Sequence, residues 1–274
     1  MREPIARATD CPTGTIRWLD AGHGAPIVLL HGIGSSARSW SAQLQGSLAA
    51  HHRLMAWNAP GYGGSTALPD EAPDVNEYAE ALSGFLDALA IKRCHLVGHS
   101  LGALIAAGFA AREPKRLWSL TLASCAVGHA RHDPAERTRL LESRLNDVRD
   151  LGPRGMAEKR GGRLVAATSP DAIRATVVDV MGDVDPRGYA QAAHMLSRGD
   201  MFADLKKIPL DLPVQVICGA EDVITPPDIN ARVAAARPGT PFTQVPDAGH
   251  ALPLEQPERF DAVLLGFIGG RDGI

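Results

Sequence analysis

The residues best suited to covalent chemistry are Gly98-His99-Ser100-Leu101-Gly102, between the short apolar run His95-Leu96-Val97 and the small-residue run Leu101 to Ala111. A strand that meets a helix through Gly-x-Ser-x-Gly presents its serine hydroxyl on a sharp turn. The two glycines matter sterically, because bulky neighbours there would collide with the adjoining strand and helix. Behind the serine, the helix N-terminus points unpaired backbone N–H groups and a partial positive charge at any negative charge that forms. Five such residues also occur by chance in glycine-containing chains, so the strand–turn–helix context gives the motif its weight. In that context it predicts a nucleophile with anion stabilisation beside it.

The elements that position this turn follow from hydrophobic patterning. Thr15 to Asp20 alternates and reads as an edge strand, whereas Pro26-Ile27-Val28-Leu29-Leu30 is continuously apolar, as in a strand buried on both faces of a parallel sheet. Further strands are expected at Leu54 to Asn58, Leu117 to Ala123, Val214 to Cys218 and Phe242 to Val245. Helices are expected from Ser35 to about Leu48, from Val75 to Leu89 by the apolar spacing of Tyr78, Leu82, Phe85, Leu86 and Leu89, and from Pro257 to Ile268. Strands alternating with helices predict an α/β fold with a doubly wound, mostly parallel sheet of about eight strands. Residues 128–205 break the alternation, with helical patterns near Pro134 to Asp150, Pro170 to Met181 and Tyr189 to Met195 and no convincing buried strand. The expected division is a core of 1–127 and 206–274 with a helical lid of 128–205 over the strand ends.

Composition limits the partners. A net charge of −3 gives no electrostatic case for nucleic acid or an anionic membrane. The stretch Met1 to Pro12 lacks the apolar block of a signal peptide, and no run approaches the roughly 18 apolar residues of a spanning helix. Cys11, Cys94, Cys125 and Cys218 have no metal-ligand spacing and read as small hydrophobes in a reducing cytosol, so no metal is expected and the expected location is cytoplasmic. The lid holds twelve basic and twelve acidic residues, eleven of the basic ones arginine, so guanidinium groups able to grip a carboxylate are plentiful.

His31-Gly32-Ile33-Gly34, Pro60-Gly61-Tyr62-Gly63-Gly64-Ser65, the Ser100 turn, Gly219-Ala220-Glu221-Asp222 and Ala248-Gly249-His250 occur in the order and spacing of the α/β-hydrolase superfamily, which this chain resembles over nearly all of its length outside the lid. The resemblance implies a cofactor-free triad of Ser100, Asp222 and His250. A serine hydroxyl needs a base to take its proton, and histidine is the natural one. Glu221 is the close rival for the acid, and Asp228 the better candidate for a mere helix cap. The resemblance also implies an oxyanion hole from the backbone N–H groups of Ile33 and Leu101.

His31 and His99 are expected to orient loops, and the loop Pro60 to Ser65 to shape the strand ends without chemistry of its own. Trp40 and Trp57 read as core packing, with Trp40 carried as a candidate pocket wall. Gly188-Tyr189, Ser197-Arg198-Gly199-Asp200 and Asp204-Leu205 resemble the corresponding part of 3-oxoadipate enol-lactonases, which makes Arg198 the candidate to bind an acidic substrate. The expected substrate is a small ester or lactone. Carbon–carbon hydrolysis of a ring-cleavage product is the alternative, and a ligand receptor or a cofactor-free oxygenase on the same fold is the rival of another class.

Overall fold

The computed structural model describes residues 3–271. In chain order its elements are β1 (Ile5–Cys11), β2 (Gly14–Gly22), β3 (Pro26–Leu30), α1 (Ser41–Gln45), α2 (Ser47–His51), β4 (Arg53–Trp57), α3 (Val75–Ala88), β5 (Cys94–His99), α4 (Leu101–Arg112) and β6 (Leu117–Ala123). Four helices follow, α5 (Pro134–Gly161), α6 (Asp171–Gly182), α7 (Pro186–Arg198) and α8 (Met201–Leu205). The chain then completes its core with β7 (Val214–Gly219), α9 (Pro227–Ala235), β8 (Phe242–Val245), α10 (Leu252–Glu255) and α11 (Pro257–Ile268).

The eight strands form one sheet in the order β1-β2-β4-β3-β5-β6-β7-β8. β1 and β2 pair antiparallel and β2 joins β4 antiparallel, while every other pairing is parallel. Because side chains alternate across a strand, the apolar runs serve both faces. Val28, Leu30, Met55 and Leu96 pack into one cluster with α3 and α4, whereas Ile27, Leu29, Leu54 and Val97 pack into another with Trp40 and α11. Helix α4 is buried all round from Leu101 to Ala110, which explains why its sequence carries no polar face.

Several elements differ from the expectations. β1 is largely exposed, so no apolar alternation announced it. The segment after Ser35 is a 3₁₀ turn (Ala37–Trp40) followed by two short helices separated by Gly46. Within α5, Gly152 (φ 66°, ψ 173°) and Pro153 interrupt the helix, so the first half ends beside the expected Asp150 and a second half continues to Gly161. Short α8 and α10 carry too few turns to show a period.

The contact that fixes the middle of the sheet is the crossing of α4 over β3 and β5. A Cβ at Gly102 would stand 2.3 Å from the Leu30 carbonyl oxygen, and one at Gly98 would stand 2.3 Å from the Gly102 carbonyl oxygen. Both obstacles are backbone and cannot swing aside. By contrast, Gly266 on the exposed face of α11 has nothing within 4 Å of the same position. Gly102→Ala is therefore expected to destabilise the protein by about 1–3 kcal/mol through overpacking. Gly266→Ala should stabilise it by about 0.5–1 kcal/mol through helix propensity. Urea unfolding of the two variants beside the parent checks both signs, and a neutral Gly102→Ala would show that the crossing has slack.

Candidate active site

Ser100 sits at the junction of β5 and α4 with φ 55° and ψ −115°, a left-handed conformation costly for a side chain with a Cβ. Its N–H donates to the Ala123 carbonyl (2.9 Å), and its carbonyl accepts from Ala103 (3.0 Å) and Ala126 (3.2 Å), so the strained peptide is tied on both sides. Asp222 follows the end of β7 and His250 follows β8, and both are buried.

These three side chains meet in one hydrogen-bonded line. His250 Nε2 is 3.0 Å from Ser100 Oγ, and His250 Nδ1 is 2.9 Å from Asp222 Oδ2. A carboxylate only accepts, so it places the imidazole proton on Nδ1 and leaves the Nε2 lone pair facing the serine hydroxyl. Asp222 also accepts from the backbone N–H groups of Ile224 (2.8 Å) and Thr225 (2.9 Å) and from the Thr225 hydroxyl (2.8 Å). Burial alone would raise this carboxyl, but His250 and the Thr225 donors outweigh it and hold the group well below the usual carboxylate range. Glu221 and Asp228 are exposed, the latter in the first turn of α9.

Next to the serine, Gly32 leaves room for close approach, since a Cβ there would lie 3.1 Å from Ser100 Cβ. Gly32, Ile33, Ser100, Leu101 and His250 border one cavity of about 680 Å³. Leu101 is the first residue of α4, where the N–H has no intrahelical acceptor. The peptide joining Gly32 to Ile33 is clamped by His31. The Ala59 N–H donates to His31 Nε2 (3.0 Å), so the ring proton is on Nδ1 and donates to the Gly32 carbonyl (2.8 Å). In a trans peptide the N–H points opposite to the carbonyl, so the Ile33 N–H faces away from His31. The following carbonyl, that of Ile33, accepts from the Tyr62 hydroxyl at 2.7 Å. Burial pushes the Tyr62 phenol well up and the His31 imidazole down to about 4, so each keeps the proton inventory this clamp requires at neutral pH.

This geometry can assist acyl transfer, and comparison with known proteins is consistent with it. Residues 27–263 match the model of the alpha/beta hydrolase family. The chain belongs to that family. A Variovorax paradoxus protein that bears the name carbamate hydrolase RutD is 29% identical over 89% of this chain and 92% of its own length. A 2-hydroxy-6-oxononadienedioate/2-hydroxy-6-oxononatrienedioate hydrolase of Paraburkholderia phymatum is 27% identical over 93% of this chain and 91% of its own. Among solved structures, a thermophilic esterase from Thermogutta terrifontis with malate bound superposes with a TM-score of 0.86 at 27% identity, covering 99% of this chain and 100% of that one.

Two expected substrate-binding residues of this α/β hydrolase lie elsewhere. Trp40 is fully buried on the far face of the sheet, edge-on to His99 (6.3 Å between ring centroids) and against Phe260 (5.9 Å), and does not border the cavity. Its role is to back His99, whose Nε2–H donates to the His250 carbonyl at 2.7 Å. Arg198 is exposed and donates to the Ala72 carbonyl. It stands nine residues, two and a half helical turns, beyond the cavity-lining Tyr189, so it projects from the opposite side of α7.

Other supporting residues escaped the sequence reading. Tyr62 lies in the loop assigned no chemistry, and only its partner's position reveals its task. Glu255 accepts from the Gly249 N–H (3.0 Å) beside His250, from the Ala166 N–H (2.7 Å) and from the Ser169 hydroxyl, tying the histidine loop to the helical insertion.

Burial also pushes His99 down, to about 3, with neighbouring His250 adding to the effect. A buried histidine with a depressed pKa stabilises the fold fully above its unfolded value of about 6.5, and that stability is lost as pH falls toward the folded value. Stability is therefore expected to decline between about pH 6.5 and 4. His31→Gln, which retains one donor and one acceptor, should reduce the slope by up to about 1.4 kcal/mol per pH unit in that window. Urea midpoints measured from pH 7 to 4.5 test this, and an unchanged slope would mean that His31 carries charge in the folded protein.

Proposed function

We propose that this chain is a serine hydrolase that cleaves a small carboxylic ester or lactone through an acyl-enzyme on Ser100. The observation that carries the reading is the line from Ser100 Oγ through His250 to Asp222, opening on a cavity of about 680 Å³. His250 Nε2 takes the hydroxyl proton as Ser100 Oγ attacks the carbonyl carbon. Asp222 holds the tautomer and stabilises the imidazolium that results. The oxygen of the tetrahedral intermediate takes its negative charge between the N–H groups of Ile33 and Leu101, each typically worth about 3–4 kcal/mol in the transition state. The protonated His250 then returns its proton to the leaving alkoxide, and water repeats the sequence to release the acid and restore Ser100.

The carbamate named for the Variovorax relative is attacked at the same kind of carbon, so it falls within this reaction class. Carbon–carbon hydrolysis is the second reading, supported by the name of the Paraburkholderia relative. It also needs a buried Ser–His pair, but its leaving group is a carbanion equivalent that requires protonation at carbon.

A panel of p-nitrophenyl esters, aryl lactones, enol-lactones, carbamates and a vinylogous diketone separates these readings. Esters or lactones should be turned over fastest, with Ser100→Ala as the blank. A preference for the diketone would select the second reading, and turnover unaffected by Ser100→Ala would overturn both. Within the reading, Asp222→Asn should lower kcat by about 10³–10⁴-fold through the wrong tautomer, whereas Asp228→Asn, at an exposed position in the first turn of α9, should stay within about twofold. The reverse ranking would reassign the acid.

A further inference from the structure

In α5 ahead of its break at Gly152, Glu136, Leu140, Ser143, Arg144 and Asp147 border the cavity, a spacing that lays one helical stripe along its wall. Its charges are not equivalent. Both Glu136 oxygens accept from Arg139 (2.6 and 2.7 Å), and Asp147 accepts from Lys159 (2.6 Å) and Arg160 (2.6 Å), so each carboxylate is already matched by a cation. Arg144 has no such match. Among the described residues no carboxylate pairs with it, and its hydrogen-bond acceptor is the Tyr189 hydroxyl at 3.3 Å.

The surroundings of Arg144 are poor in compensating charge. It is half-buried, and His129 beside it is driven down to about 4 by burial first and by Arg144 next, which leaves that imidazole neutral at pH 7. Arg144, Lys159, Arg160 and Arg163 give the cavity wall four cations against the two carboxylates, in a chain whose net charge is −3. A locally positive cavity in a negative protein concentrates anions. A guanidinium there that lacks a carboxylate offers a planar donor pair matched to one.

We propose that Arg144, with the Tyr189 hydroxyl beside it, is the subsite that binds a free carboxylate of the substrate, so that the natural substrate is an ester or lactone bearing an acid group remote from the scissile carbonyl. This rests on the hydrolase reading for the word substrate, but the subsite itself is defined by binding. The task expected of Arg198 thus passes from α7 to α5. Tyr189 holds the guanidinium from the facing helix, which lowers the entropy cost of fixing a long side chain.

Two measurements test it. The first is calorimetric binding of the dicarboxylates from succinate to adipate to the parent protein, Arg144→Leu and Arg144→Lys. The parent should bind at least one of them, Arg144→Leu should weaken it by about 10- to 100-fold, and Arg144→Lys, which keeps the charge but not the fork, should fall between. The second is hydrolysis of a p-nitrophenyl hemiester beside its methyl-capped analogue. Arg144→Leu should raise KM for the acid by a similar factor and leave kcat/KM for the capped ester within about twofold. Added salt should weaken the acid alone.

Absence of dicarboxylate binding to the parent, equal binding to all three proteins, or equal kinetic losses on both esters would each overturn the subsite. If neither ester is cleaved but dicarboxylates bind in the expected order, the subsite stands and the hydrolase reading falls.

Discussion

The close crossing of α4 over β3 and β5 constrains everything around it. With Gly102 pressed on the Leu30 carbonyl and Gly98 pressed on Gly102, the chain turns from strand to helix through a residue at positive φ, Ser100. The strain is local and of the order of 1–3 kcal/mol, and the apolar faces on both sides of the sheet hold it in place. The same turn puts the serine hydroxyl and the first N–H of α4 beside one cavity.

Around this fixed point the loops at the carboxyl ends of the strands converge. The loop after β7 brings Asp222, the loop after β8 brings His250, and the loop after β3 brings the Ile33 peptide. None is left to its own flexibility. His31 and Tyr62 grip successive carbonyls of the β3 loop, His99 grips the His250 carbonyl, and Glu255 binds the histidine loop to residues 166 and 169 of the helical insertion. Burial keeps His31 and His99 neutral at pH 7, so these grips are dipolar and add no competing charge near His250.

The sheet was legible from apolar runs of strand length and the Ser100 turn from glycines flanking a serine, whereas Asp222 and His250 were legible through the resemblance that the ordered motifs carry. β1 was not legible, since an exposed edge strand has no buried face to print on the sequence. Nor were the cavity-lining residues of the helical insertion. Arg198 and Arg144 are indistinguishable as arginines in a helix-rich segment, and only the phase of each helix against the cavity separates them. Trp40 is core packing as its sequence suggested, and it misses only as a pocket wall: which face of the sheet buries it depends on how the 3₁₀ turn before α1 is set. Tyr62 needed a carbonyl from a loop 29 residues away.

The claim on which the account turns is that the strained Ser100 hydroxyl is the nucleophile, activated by His250. Intact-mass measurement after a fluorophosphonate probe tests it directly. The parent protein should gain a single adduct that maps to Ser100, His250→Gln should gain it far more slowly, and Ser100→Ala should gain none. An adduct of undiminished yield in Ser100→Ala, or the same labelling rate in His250→Gln as in the parent, would contradict the account.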